Sequence, residues 1–192
     1  NTIAAPDGSI TAETFNRNST STGNYLDSRA ISKNSAPVTF TFSLFVKKNN
    51  ARYASLRLQG LYPSRADVVF DLDTGTVAVA ANSTQNFSNA SGSIHASGNS
   101  WFRVSLTATS DSINEIKALF GCSAEANQID GASSVANSVY IWGAQLEEGN
   151  VLTEYTSSVE TFVSRASSAT YVDDTTGLIK TAAVDEARYE NG

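Results

Sequence analysis

The sequence predicts an all-β chain: an antiparallel β-sandwich of jelly-roll type with a mostly extended C-terminal connector. Three observations carry this. Apolar residues recur with a period of two rather than 3.6. The apolar runs are short and separated by Gly, Pro, Asn and Asp turn signals. The chain is rich in Ser and Thr and only 17% charged, which suits sheet surfaces better than helices. Without helices between the runs there are no crossover connections, so a parallel α/β sheet is excluded.

A first strand is expected within Ser9–Arg17. From Val38 to Lys47 the residues Val38, Phe40, Phe42, Leu44 and Val46 alternate with polar ones, broken only by Phe45, which predicts a long strand with one face in a core. The same alternation marks strands in Ser55–Gln59, Val68–Leu72 and Trp101–Thr107. Asp73-Thr74-Gly75, between Phe70-Asp71-Leu72 and Thr76-Val77-Ala78-Val79, reads as a hairpin loop whose Gly accepts positive φ. Asn49-Asn50, Pro63-Ser64, Ser91-Gly92 and Gly98-Asn99 mark further turns. Ser93–Ala96, Glu115–Cys122 and Ser138–Glu147 complete the set of strands.

Beyond Tyr155 apolar residues become sparse, so residues 1–155 are expected to form the sandwich domain and 156–192 a connector or assembly tail. Within that tail Ala169–Val172 and Leu178–Thr181 are expected to pair as a short hairpin. No repeat of roughly 20–50 residues is visible, which disfavours a solenoid or propeller.

The chain has 192 residues, a formal charge of −6, one cysteine, one histidine and no methionine. A sandwich of this size buries about 70% of its unfolded surface and needs no staples. Cys122 alone forms no intramolecular disulfide. The missing methionine, at position 1 as elsewhere, leads us to expect a fragment or processed product, and the tail leads us to expect something beyond Gly192. Thirteen scattered basic residues argue against nucleic acid and against an anionic membrane surface. No stretch reaches the roughly 20 apolar residues of a spanning helix.

Catalytic equipment is sparse, and no enzyme is expected. Any histidine mechanism must run through His95, which has no Asp or Glu within ten positions on either side. Cys122 follows Phe120-Gly121 at the end of an apolar run and reads as a buried, inert thiol. Asp71 and Asp73 straddle a turn, while Glu147 and Glu148 are adjacent and point to opposite strand faces, so neither pair reads as a glycosidase dyad. No phosphate loop, zinc spacing or EF-hand loop is present.

The aromatic residues are more informative. Phe102, Val104 and Leu106 take the core register of their strand, which turns Trp101 and Arg103 outward. Val139 and Ile141 do the same for Tyr140 and Trp142. A bulge at Gly143 would then return Ala144 and Leu146 to the core and leave Gln145 and Glu147 facing solvent. Arg57 and Gln59 share the polar register beside Leu56 and Leu58. Trp101, Arg103, Tyr140, Trp142, Arg57, Gln59 and Gln145 are therefore the candidate carbohydrate-binding set, because a pyranose stacks its C–H face on a ring while Arg and Gln fork to its hydroxyls. A second reading stands beside it: Trp101 or Trp142 seals the sandwich edge under a loop, or lies in an oligomer contact.

Val139-Tyr140-Ile141-Trp142-Gly143-Ala144-Gln145-Leu146-Glu147-Glu148-Gly149, followed by Thr153-Glu154-Tyr155, resembles the last strand of jelly-roll, carbohydrate-binding-module-like domains in tailed-phage tail-fibre, head-fibre and other virion appendage proteins. Ala5-Pro6-Asp7-Gly8-Ser9 is similar to the opening strand of that family, and Phe42-Ser43-Leu44-Phe45-Val46-Lys47 to its long second strand. Phe70–Val77 is similar to its central hairpin and Trp101–Ser105 to its Trp-aromatic-Arg strand. Ser164–Asp173, Gly177-Leu178-Ile179 and Arg188-Tyr189 look like its connector. The resemblance implies a virion setting on the surface of an extracellular particle, other virion proteins and a polysaccharide or cell-surface glycan as partners, and a homo-oligomer. It implies no required cofactor. It places the oxygen ligands of a structural calcium, common in such modules, at Asp7 and Glu13. A virion spacer with no sugar ligand is the alternative.

Overall fold

A computed structural model of the chain describes residues 3–17, 25–126 and 136–156, and the backbone of 170–172 and 179–181. The chain divides into two compact units, Asn1–Thr156 and Ser157–Gly192. In the first, β1 (Glu13–Arg17), β4 (Val38–Lys48), β8 (Phe87–Ala96), β9 (Trp101–Ser110) and β11 (Asn137–Glu148) form one sheet in the order β1-β11-β4-β9-β8. The other contains β2 (Leu26–Asp27), β5 (Tyr53–Gln59), β6 (Arg65–Asp71), β7 (Thr76–Thr84) and β10 (Glu115–Ser123) in the order β2-β10-β5-β6-β7, with β3 (Ile31–Ser32) also pairing β10. All pairings are antiparallel, and the described residues contain no helix. The chain changes sheet between β1 and β2, β3 and β4, β4 and β5, β7 and β8, β9 and β10, and β10 and β11, so it wraps around one core as an antiparallel β-sandwich.

In the second unit the expected hairpin is present: β12 (Thr170–Val172) pairs antiparallel with β13 (Ile179–Thr181). The rest of the expected connector, including the Ser164–Ala169 and Arg188-Tyr189 portions of the resemblance, lies outside the described residues.

The alternation read from β4 holds. Phe40, Phe42, Leu44 and Val46 are buried against Leu56 and Leu58 of β5, Val68 and Phe70 of β6, Val104 and Leu106 of β9 and Phe120 of β10. Each such side chain contributes roughly 1.5–3 kcal/mol by leaving water. Gly75 sits at φ +66°, as its turn requires. Ser91-Gly92 marks no turn: both residues lie inside β8, where a Cβ on Gly92 would stand 2.5 Å from Val68 Cγ2. That glycine serves close packing between the sheets, not chain reversal. The first strand also begins later than expected, at Glu13; Ala5–Ser9 forms a turn instead, closed by Ala5 N–H to the Ser9 carbonyl (2.8 Å) and Gly8 N–H to the Ala5 carbonyl (2.9 Å).

At the end of the hairpin between β6 and β7, Arg52 grips Asp71 through Nη2 (2.7 Å) and Nε (3.1 Å), and the Asp73 amide donates to the same carboxylate (2.9 Å). The Arg52 hydrogen bond outweighs the opposing effect of burial and, with the Asp73 amide, pulls the Asp71 carboxyl from 3.8 down to about 2. A folded-state value below the unfolded one stabilises above the unfolded value. This contribution is therefore complete above about pH 4 and lost as pH falls from 3.8 through about 2. Asp71→Asn is expected to flatten the acid limb of a stability-against-pH curve in that window, measured by melting from pH 2 to 6; an unchanged limb would contradict the assignment.

Candidate functional site

The expected outward register of Trp101, Arg103, Tyr140 and Trp142 is correct, yet that face is not open to solvent. Ile3 bridges Ala12 across the Ala5–Ser9 turn, and this N-terminal segment covers the outer side of β4, β9 and β11. Ala5, Ala12, Phe45 and Trp101 form a second buried cluster there, with Ile3, Tyr140, Trp142 and Tyr155 packed against it. Phe45, the exception to the β4 alternation, is the centre of this outer cluster.

Trp101 is thus a correction to the sugar-platform set. It is 1% exposed, and its indole N–H donates to the Ala4 carbonyl (3.1 Å), so no ligand ring reaches it. It fills the edge-sealing role that the second reading assigns. Trp142 is half-buried, with ring centroids 4.5 Å from Tyr155 and 5.4 Å from Phe45, and its N–H donates to Thr11 Oγ1 (2.9 Å). Tyr140 is half-buried beside it.

Gly143 makes the expected bulge: its φ is +61°, and the pairing of β11 with β4 slips by one residue between Trp142 and Gln145. Leu146 returns to the core, whereas Ala144 remains exposed, because the bulge absorbs it. Downstream, Arg103 donates to the Thr153 carbonyl (2.6 Å) and Ser43 Oγ (3.1 Å), with its guanidinium 5.3 Å from the Phe45 ring. Gln145 donates to Thr153 Oγ1 (3.1 Å) and accepts from the Thr156 amide (3.0 Å). Burial raises the Glu147 carboxyl, but hydrogen bonds from Thr153 and Gln145 outweigh it and hold the group below its usual range. Arg103, Gln145 and Glu147 therefore fasten the Gly149–Thr156 segment across the sheet.

Arg57 is a second correction. Its register is the polar one, but it is 3% exposed, paired through Nε with Asp67 Oδ1 (2.5 Å), and its guanidinium lies 5.3 Å from the Tyr25 ring. Asp67 takes a second cation, Arg65 Nε to Oδ2 at 2.8 Å. A carboxylate on the neighbouring strand, directly opposite in register, internalises the arginine.

Asp7 and Glu13, the residues the resemblance assigns to calcium, are both exposed. Asp7 Oδ1 accepts the Ser9 amide (2.9 Å) and hydroxyl (2.7 Å), and those two bonds hold its carboxyl below the usual value. That acceptor oxygen serves a local turn, and among the described residues no group of three or more His, Cys, Asp or Glu is placed to hold a metal ion. Burial pushes the Cys122 thiol up to about 12, outweighing the nearby Arg17 charge, so it is no nucleophile near neutral pH.

Gln59 alone of the candidate set faces an accessible surface without an internal partner. It is half-buried on β5, directly opposite Lys117 of β10 and Arg65 of β6, and Arg65 is opposite Thr84 of β7. This row crosses the outer face of the second sheet. Neither the Gln59 amide nor the Lys117 ammonium has a hydrogen-bond or ion-pair partner among the described residues. Beside it the turn from β5 to β6 presents Leu61, 84% exposed, and Tyr62, 63% exposed, the most exposed aromatic among the described residues.

The Arg65 guanidinium lies 5.2 Å from the Tyr62 ring centroid. The turn is held by Gly60 N–H to the Ser64 carbonyl (3.0 Å), Ser64 N–H to the Leu61 carbonyl (2.9 Å) and Thr84 Oγ1 to the Pro63 carbonyl (2.6 Å), so the backbone that carries the ring is fastened. The Pro63-Ser64 turn was legible in the sequence, but Tyr62, Arg65 and Lys117 were missed. The signal was an apolar Leu-Tyr pair immediately before a turn proline, where no strand register can bury it.

A cavity of about 390 Å³ lies between the sheets, with Phe42, Leu44, Phe120, Ile141 and Trp142 in its walls and Thr11, Glu13, Asp27 and Ser28 among its polar members. Its volume falls within the usual range for ligand sites, roughly 300–1,000 Å³. Its walls are mostly carbon, which leaves sugar hydroxyls without partners. The Tyr62 row offers an aromatic face and unpartnered polar groups together, and is the better match to a saccharide. In comparisons with known proteins, no family model and no curated protein matches the chain.

Proposed function

We propose that the chain is a non-catalytic carbohydrate-binding domain of a phage virion appendage, displayed at the particle surface, and that it engages polysaccharide through Tyr62 and the row formed by Arg65, Gln59 and Lys117. The observation that carries the reading is Tyr62: an aromatic ring 63% exposed on a fastened turn, beside an amide and an ammonium with no partners among the described residues. The virion setting rests on the sequence resemblance. Such a shallow site is weak alone, and copies assembled with other virion proteins into an oligomer compensate by effective concentration.

A second reading has its own support. Trp101, Arg57 and Arg103 are all committed to internal contacts, and the exposed Leu61–Tyr62 tip also suits a subunit interface in a structural virion spacer.

A glycan array read beside light scattering tests the pair. The carbohydrate reading expects glycan signals that fall about ten-fold or more in Tyr62→Ala, the order of one lost stacking contact, with the melting temperature unchanged. A stable oligomer that dissociates in Tyr62→Ala and gives no glycan signal would favour the spacer and overturn the carbohydrate reading.

A further inference from the structure

We propose that the cavity between the sheets is a second ligand site, and that it takes an uncharged, largely hydrocarbon small molecule. It shares no residue with the Tyr62 row, and the inference does not depend on the carbohydrate reading. The cavity arises where both sheets run short at one edge. β1 leaves β11 at Glu13, opposite Ile141, and no described strand continues along the outer side of β11 beyond that point. On the facing sheet β2 is two residues long and pairs only Leu119 and Phe120 of β10. Phe42, Leu44, Phe120 and Ile141 therefore wall a space rather than close on one another.

Small residues keep that space open. The bulge puts Gly143 and Ala144 in the wall on β11, and Ala118 is the smallest lining residue of the facing sheet. Leu26 marks the mouth: it stands opposite Phe120, which is 1% exposed, yet is itself 47% exposed. Close-packed interiors hold few voids larger than a water molecule, and an apolar cavity of about 150 Å³ already takes benzene. A cavity of about 390 Å³ between such walls is room for a ligand rather than a packing defect.

The polar lining groups say what kind of ligand. Thr11 Oγ1 accepts from the Trp142 indole N–H (2.9 Å) and shares a hydrogen bond with Ser9 Oγ. Ser28 Oγ donates to the Arg29 carbonyl (2.9 Å) and accepts from the Ala118 amide (3.0 Å). Both hydroxyls are thus engaged by the protein itself. Glu13 and Asp27, the other polar lining residues, are exposed and belong to the rim. A molecule with hydroxyls or charges along its length would give up its hydration inside without gaining partners. A medium-chain alcohol gives up little, because its chain lies between carbon walls and its one hydroxyl stays at the rim.

Titration calorimetry on the full chain, with 1-alkanols from hexanol to decanol and with 2-naphthol, tests the assignment. One-to-one binding is expected, tightening about four-fold per methylene, the transfer value of one CH₂, until the cavity is full. Ala118→Phe within the cavity and Ala144→Trp at its mouth should each weaken the best alkanol about ten-fold, the order of two lost methylenes. Ala144 is exposed and tolerates the larger ring, so that variant still reports if Ala118→Phe fails to fold. Tyr62→Ala is expected to bind alkanols like the wild type, and array glycans are expected not to displace them. An affinity that stays flat along the series, or binding unchanged in the folded cavity variants, overturns the site. Failure of every alkanol and of 2-naphthol to bind does the same, and displacement by a glycan overturns the assignment to hydrocarbon ligands.

Discussion

Trp101→Ala is expected to lower stability by about 3–5 kcal/mol, the range for removing a fully buried tryptophan. The indole is 1% exposed, packs with Ala5, Ala12 and Phe45, and is tied to the Ala4 carbonyl. Its loss opens the one cluster that holds the N-terminal segment against the first sheet, and strand pairing does not replace that contact: Ile3 and Ala12 make an isolated bridge. The melting temperature should therefore drop by roughly 10 °C. Limited proteolysis should cut within residues 3–12 while the rest of the sandwich resists. Trp142→Ala should cost less, since Trp142 is already half-exposed. A Trp101→Ala protein that melts with the wild type would contradict the outer cluster.

The second large effect is expected at Asp67. Asp67→Ala removes a carboxylate that two arginines share, one of them 3% exposed, and breaking a buried pair from one side costs about 3–5 kcal/mol. The cost comes from the buried arginine's poorer compensation rather than from the net value of the pair. Replacing both partners, Arg57→Met with Asp67→Leu, is accordingly expected to recover most of the loss. Denaturant unfolding of the single and double variants closes the cycle, and a double variant less stable than Asp67→Ala would contradict this account.

What the sequence revealed and what it hid follow from the same physics. Period-two alternation reports which residues of a strand share a face, so the registers of β4, β9 and β11 were legible, Phe45 included as an exception. The bulge was legible at Gly143 because only a register slip reconciles Ile141 and Leu146 with one core. Alternation does not report what covers the outer face, and so it leaves Trp101 open to both readings, an exposed sugar platform or a seal on the sandwich edge. Its cover comes from residues 3–12, about 90 positions away, whose small apolar side chains carry no periodic signal.

Arg57 failed for a related reason. Its partner Asp67 lies ten positions on, and only the register of β5 against β6 brings them together. The two-residue strands β2 and β3 are too short to show any period. Gly92 was misread because a glycine needed for close packing looks, in sequence, like one needed for a turn.

The candidate site shows the same division. Gln59 was legible from its register, but the partners that give it meaning came from neighbouring strands and from a turn. Lys117 and Arg65 meet it only through sheet pairing.

The claim that ligand binding centres on the Tyr62 turn is tested most directly by backbone amide shifts during titration with the oligosaccharide that gives the strongest array signal. The account predicts saturable shifts at residues 59–65 and at Lys117, with those at Trp142, Thr153 and Tyr155 unmoved. Shifts confined to the Trp142 cluster or to the walls of the cavity between the sheets would contradict it.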